Sequence, residues 1–150
     1  LNEVNPAQEH FISNLIRQKL SAAIDGQTHI SNSSDKYLLF LPEGELHEIG
    51  LLMASYILKS HSKTVFYLGQ SVPFQNLKET YHICKPDYML TFFIKSVSSE
   101  QINAYIKLLN SHFPETNILI SGKNEILKNI EPNKSIRILK DIPSLQKYIS

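Results

Sequence analysis

Apolar residues recur along this chain in two rhythms, and the change between them divides it. In the first 26 residues Phe11, Ile12, Leu15, Ile16, Leu20, Ala23 and Ile24 fall at helical spacing. Asn5 is placed to cap that helix, Pro6 suits its first position and Gly26 ends it. Thr28–Lys36 is polar, with three Ser and one Asn, and reads as a linker. From Tyr37 onward short apolar runs alternate with amphipathic segments. Strands are predicted over Tyr37–Leu41, Thr64–Leu68, Asp87–Phe93, Asn117–Ile120 and Ile136–Leu139. Helices are predicted over His47–Lys59, Phe74–Cys84, Ser98–Phe113, Asn124–Asn129 and Ser144–Ile149. The first three strands are apolar at nearly every residue, the pattern of strands covered on both faces. Strict β-α alternation over five strands predicts an α/β domain with a doubly wound parallel sheet. The division is then 1–26 for a single helix, 27–36 for the linker and 37–150 for the α/β domain.

Composition narrows the function. Fifteen Lys and Arg against fourteen Asp and Glu leave a net charge of +1, which provides no overall field to hold a nucleic acid. A single cysteine, Cys84, excludes a disulfide framework or a Cys-based zinc site and fits a reducing cytoplasm. Apolar stretches such as Ile49–Ser55 and Tyr88–Ile94 are too short to span a bilayer, and no signal segment opens the chain. The first residue is Leu1 rather than Met, so a piece of a longer protein is expected.

Ligands of such sheets bind outside the carboxyl ends of the strands, where strand order reverses. The informative loops are therefore Pro42–Gly50, Gly69–Pro73, Phe93–Ser98 and Ser121–Asn124. The first has no Gly-x-Gly-x-x-Gly and no Gly-Lys-Ser/Thr, which excludes the dinucleotide and P-loop sites. A phosphoacceptor receiver would need an Asp at the end of the third strand, and Thr91-Phe92-Phe93-Ile94 has none. That first loop instead carries Glu45-x-His47-x-x-Gly50. Its carboxylate can hold one imidazole nitrogen while the other faces a metal, and Gly50 leaves room against the helix start. The same spacing also suits a plain first-turn His with an acid at the helix dipole, so both readings stand.

Together with Gly69 and Pro73 at the end of the second strand, this loop resembles the cobalamin-binding domain. That family's pattern is Asp/Glu-x-His-x-x-Gly, then a Leu-Gly-x-x-x-Pro turn, then Ser-x-Leu, then Gly-Gly. The opening helix, Ala7 to Leu20, resembles the last cap helix of MerR-type transcription regulators with a C-terminal cobalamin domain, through Glu9, His10, Ser13, Arg17 and Leu20. The resemblance implies a flavodoxin-like fold preceded by one helix of a helical cap. It implies a regulator's sensory domain, not an enzyme, that binds cobalamin in its adenosyl or another form. His47 would be the lower axial ligand to cobalt, oriented by Glu45. Gly50, Gly69 and Pro73 would shape the corrin floor and the slot for the nucleotide tail. Glu9 and His10 would meet the upper face, with His10 a second candidate ligand to cobalt.

Departures from the pattern fall on the tail slot. The Ser of Ser-x-Leu is Phe92, which would fill the slot, and Thr91 could replace it only through a register slip that turns its side chain over. The first Gly of Gly-Gly is Ser121, followed by Gly122, and the Trp that covers the corrin is missing from a chain with no Trp. Two alternatives follow: a domain that has lost its corrinoid and serves self-association, with Phe92 and Ser121 plugging the slot, or a corrinoid carrier subunit of a methyltransferase or mutase. A homo-oligomer is expected, with DNA contact only through an N-terminal domain, no membrane partner and a cytoplasmic location. Tyr81, Tyr88, Phe92 and Phe93 are expected in the core. Lys123 reads as a solvated loop lysine, and His29, His61, His82 and His112 lack ligand spacing.

Overall fold

The uninterrupted apolar run after the linker forms β1 (Lys36–Pro42), flanked on both edges by other strands of a five-stranded sheet. The structure is a computed structural model that describes residues 5–27, 35–131 and 134–149. His29 and most of the predicted linker lie outside the described residues. The remaining strands are β2 (Thr64–Val72), β3 (Tyr88–Phe93), β4 (Asn117–Gly122) and β5 (Ile136–Ile138). All pairings are parallel and the order is β2-β1-β3-β4-β5, the flavodoxin-like arrangement. Strand order therefore reverses between β1 and β3, and a crevice opens there at the carboxyl edge.

Alternation along the strands feeds two cores. Leu38, Phe40, Met89 and Ile120 face α3 (Phe74–Cys84) and α4 (Ser99–His112). Leu39, Leu41, Leu90 and Phe92 face α2 (Ile49–Ser60) and the C-terminal segment Ile142–Tyr148. Local chemistry sets the helix starts. Asn5 and Gln8 form a capping box on α1 (Pro6–Asp25), and Ser98 and Gln101 form another on α4. Residues 124 to 129 make little more than one turn, α5 (Asn124–Leu127).

Three of the differences from the predicted boundaries have a clear local cause. First, α2 begins at Ile49 rather than His47, because the Glu45 carboxylate accepts the amides of Leu46 and His47 and holds them out of the helix. Second, Gly69–Pro73 is not a free turn. β2 continues to Val72 through two register shifts against β1, the first a bulge where Leu39 pairs Tyr67 and Phe40 pairs Gly69. Gly69 has a φ of +79°, a backbone shape that glycine adopts without strain. Pro73 then caps α3 in extended conformation. Third, Ile142–Tyr148 winds as a 3-10 helix, with Asp141 accepting the Ser144 amide, as suits a short segment pressed onto α2 through Leu145 and Ile149.

Candidate functional site

Glu45 leaves β1 through a turn in which its amide donates to Pro42 O at 2.9 Å. The residue is 5% exposed, and each carboxylate oxygen is occupied. Oε1 accepts from the amides of Leu46 and His47 at 3.0 and 3.1 Å and contacts His47 Nδ1 at 2.6 Å. Oε2 accepts from the amides of Ile94 and Lys95 at 2.8 and 2.6 Å. Burial alone would raise this carboxyl. The Lys95 amide, the His47 ring and the amides of Ile94 and His47 outweigh it and hold the group below the ordinary carboxylate range. An ionised carboxylate only accepts, so His47 Nδ1 is the donor, and in the neutral ring that leaves Nε2 as the acceptor. The His47 side chain is 58% exposed.

The extended end of β2 braces this loop. Gln70 Nε2 donates to Leu46 O at 2.7 Å, and the Ser71 amide donates to Glu45 O at 3.1 Å. Ser71 Oγ in turn accepts the Gly44 amide at 3.0 Å. Gly69 and Pro73 do not line the cleft: Gly69 sits at the bulge that carries β2 on to Gln70 and Ser71, and Pro73 follows as the N-cap of α3.

α1 lies across the same edge. Arg17 Nε pairs with Glu48 Oε1 at 2.8 Å, and Tyr67 OH donates to Glu48 Oε2 at 3.2 Å. Gln27 Nε2 donates to Tyr56 O at 3.1 Å, which fixes the helix end to α2. Between α1 and the His loop is a cleft of about 600 Å³, in which Glu9, His10 and Ser13 line one side and His47, Gly50 and Ile94 the other. The structure therefore brings Glu9 and His10 to the same cavity as His47, although 37 positions of sequence separate the two histidines. Among the described residues no three His, Cys, Asp or Glu side chains form a metal site by themselves.

Behind the cleft the remaining predicted residues divide by face. The Phe92 ring lies under the start of α2, and a Cβ built on Gly50 would be 2.9 Å from its Cε1. Ser121 pairs with Phe92 across β3–β4, and its Oγ donates to Leu139 O at 2.9 Å. Gly122 follows, where a Cβ would meet Phe93 O at 2.1 Å. Thr91 points to the opposite face, among residues packed under α3 and α4. No register slip brings it round, and its Oγ1 has no hydrogen-bond partner among the described residues.

Comparison with known proteins bears on the family and the fold. The chain is 30% identical over 108 residues to the HTH-type transcriptional repressor CarH of Myxococcus xanthus, covering 72% of this chain and 36% of the repressor. It is 30% identical over 101 residues to the repressor CarA of the same organism, covering 67% and 35%. The chain is a homologue of these MerR-type repressors. It spans about a third of the length of the curated relatives it matches. No protein-family model matches it. The fold is shared with a cobalamin-binding protein of Desulfitobacterium hafniense, at a TM-score of 0.62 and 15% identity, covering 78% of this chain and 60% of that one. It is shared also with the monomethylamine corrinoid protein of Methanosarcina barkeri, at a TM-score of 0.67 and 14% identity, covering 92% and 66%.

This MerR-type homologue contains interactions that its spacing did not reveal. The Ile94 and Lys95 amides are backbone donors from a loop 49 residues beyond Glu45 and leave no trace in side-chain pattern. Glu48 adjoins His47 in sequence, but its partner Arg17 is on another helix, and nothing local marks the pair.

Proposed function

We propose that this chain is the sensory domain of a MerR-type transcriptional regulator, that it binds a corrinoid with His47 as the lower axial ligand, and that ligand state is coupled to self-association. The observation that carries this reading is the Glu45–His47 pair at the strand-order reversal, opening into a cleft roofed by α1. The donor set fits a corrin ring: one imidazole with Nδ1 held and Nε2 free below, and Glu9 and His10 above. It does not offer an open space beneath Gly50 for a nucleotide tail, since Phe92 occupies it. A bound corrinoid would be held by His47 on one wall of the cleft and by Glu9 and His10 on the other, and would supply a cobalt centre whose ligation reports what is bound.

Glu45 would orient His47 and keep it in the ligating tautomer. α1 would close the cleft and exclude water, with its height set by the Arg17–Glu48 pair. A ligand gripped by both α1 and the sheet domain stabilises one arrangement of the two and shifts assembly by that difference. DNA contact is assigned to another part of a cytoplasmic regulator, in keeping with the HTH-type relatives and this chain's net charge of +1. The domain would not itself be a catalyst. A second reading, favoured by the Phe92 ring under Gly50, drops the ligand and keeps self-association alone.

Gel filtration and visible absorbance of the chain mixed with hydroxocobalamin or hydroxocobinamide test the reading. Colour should co-elute with protein, with a shifted corrin spectrum. His47→Ala should abolish the shift and weaken binding by at least the roughly 10–100-fold that loss of a ligand-orienting partner gives. Complete separation of protein from both corrinoids would leave only the self-association reading.

A further inference from the structure

The cleft and the layer beneath it have opposite characters. Above the carboxyl edge is open space of about 600 Å³, within the range of sites that hold one compact ligand. Below it, between α2 and the sheet, Phe92 is 5% exposed and meets Leu39, Leu51, Leu90 and Leu119 in one continuous core. The Phe92 ring abuts the backbone so closely that even a methyl group on Gly50 would collide with it. Interiors packed to this density admit no group without displacing one. Ser121, beside Phe92 across the strand pair, has its hydroxyl proton donated to Leu139 O and offers no free donor to an incoming polar group.

We infer that this domain selects a corrinoid that lacks the lower nucleotide tail, a cobinamide-type ligand, over complete cobalamin. The inference rests on the corrinoid reading of the cleft and deepens it by naming the ligand class. A ring ligated by His47 occupies the cleft alone. Any appendage hanging from its lower face past Gly50 would have to enter the layer where Phe92 is packed. Selectivity here comes from a steric obstacle rather than from an added attraction.

The test titrates the whole chain with hydroxocobinamide and, separately, hydroxocobalamin, reading the visible spectrum and the dissociation constant. Wild-type protein should prefer cobinamide by at least about tenfold, the discrimination that one steric misfit provides. The benzimidazole of cobalamin also competes with His47 for cobalt, so the deciding quantity is how that preference changes when the obstacle is removed. In Phe92→Ser the ratio of the two constants should fall about tenfold or more. Should that variant fail to fold by circular dichroism, Phe92→Leu retains an apolar core residue without the ring, and the same fall is expected in it.

Equal binding of both corrinoids by the wild type overturns tail exclusion while leaving the corrinoid reading intact. So does a preference that stays the same in the folded Phe92 variant. If neither corrinoid changes its spectrum, tail selection and the corrinoid reading fall together.

Discussion

Five hydrogen bonds converge on the Glu45 carboxylate, from two loops that are far apart in sequence. Glu45→Gln keeps the shape but turns an amide NH₂ toward groups that themselves donate, leaving buried N–H groups of the β1–α2 or β3–α4 loop unpaired. Stability should drop by about 2 kcal/mol in urea unfolding, the order expected for stranded buried donors. The pH dependence gives an independent signature. The folded carboxyl lies below its ordinary value of 4.5, so its contribution is fully present above that pH. It is lost as pH falls through the lower folded value, since the unfolded chain then binds the proton more readily. Wild-type protein should therefore lose stability on acidification below about pH 4.5, and Glu45→Gln should lose less over the same interval. Identical acid profiles for the two proteins would remove Glu45 as the anchor. Sequence spacing reached the Glu45–His47 contact because its members lie two positions apart. The amides of Ile94 and Lys95 stayed hidden because every non-proline residue has one.

Elements were legible where burial is two-sided. The run Tyr37–Leu41 and the block around Leu90 need no partner to be identified as central strands, and β-α alternation points to a doubly wound parallel sheet; the order 2-1-3-4-5 itself is set by the structure and agrees with the flavodoxin-like fold that the resemblance implied. The continuation of β2 to Val72 was not legible, because a bulge is decided by what the neighbouring strand offers. Nor did spacing show how α1 is attached. Arg17 is 48% exposed, so its pair with Glu48 contributes well under about 1 kcal/mol to global stability. Its role is local. Arg17→Ala should barely move the urea midpoint yet hasten amide hydrogen exchange throughout α1. Unchanged α1 exchange would mean that Gln27 and helix packing suffice to hold it.

At the scale of the whole molecule, α1 buries none of its residues on the sheet domain and leaves Phe11, Ile12, Leu15 and Ile16 exposed, from 70% for Phe11 to 41% for Ile16. Such a stripe favours packing against another protein surface. Under the self-association reading, sedimentation at micromolar concentration should show a mass above one chain. Leu15→Glu, which sets a charge in the stripe, should shift it toward the monomer, while an unchanged mass would exclude this face from the contact.

The anchors of α1 are unevenly spread. Arg17 and Gln27 hold its second half, ten positions or about 15 Å apart at the rise of a helix. The first half, with Glu9 and His10 beneath and Phe11 and Ile12 exposed, extends past the last anchor. If the cleft holds a ligand as proposed, that half would act as a cantilever pivoting at Arg17. A fraction of an ångström gained or lost at the imidazole end of the cleft would be returned, amplified by the length of that arm, as a tilt of the apolar stripe. The molecule would then report the height of what it holds as the angle of a lever.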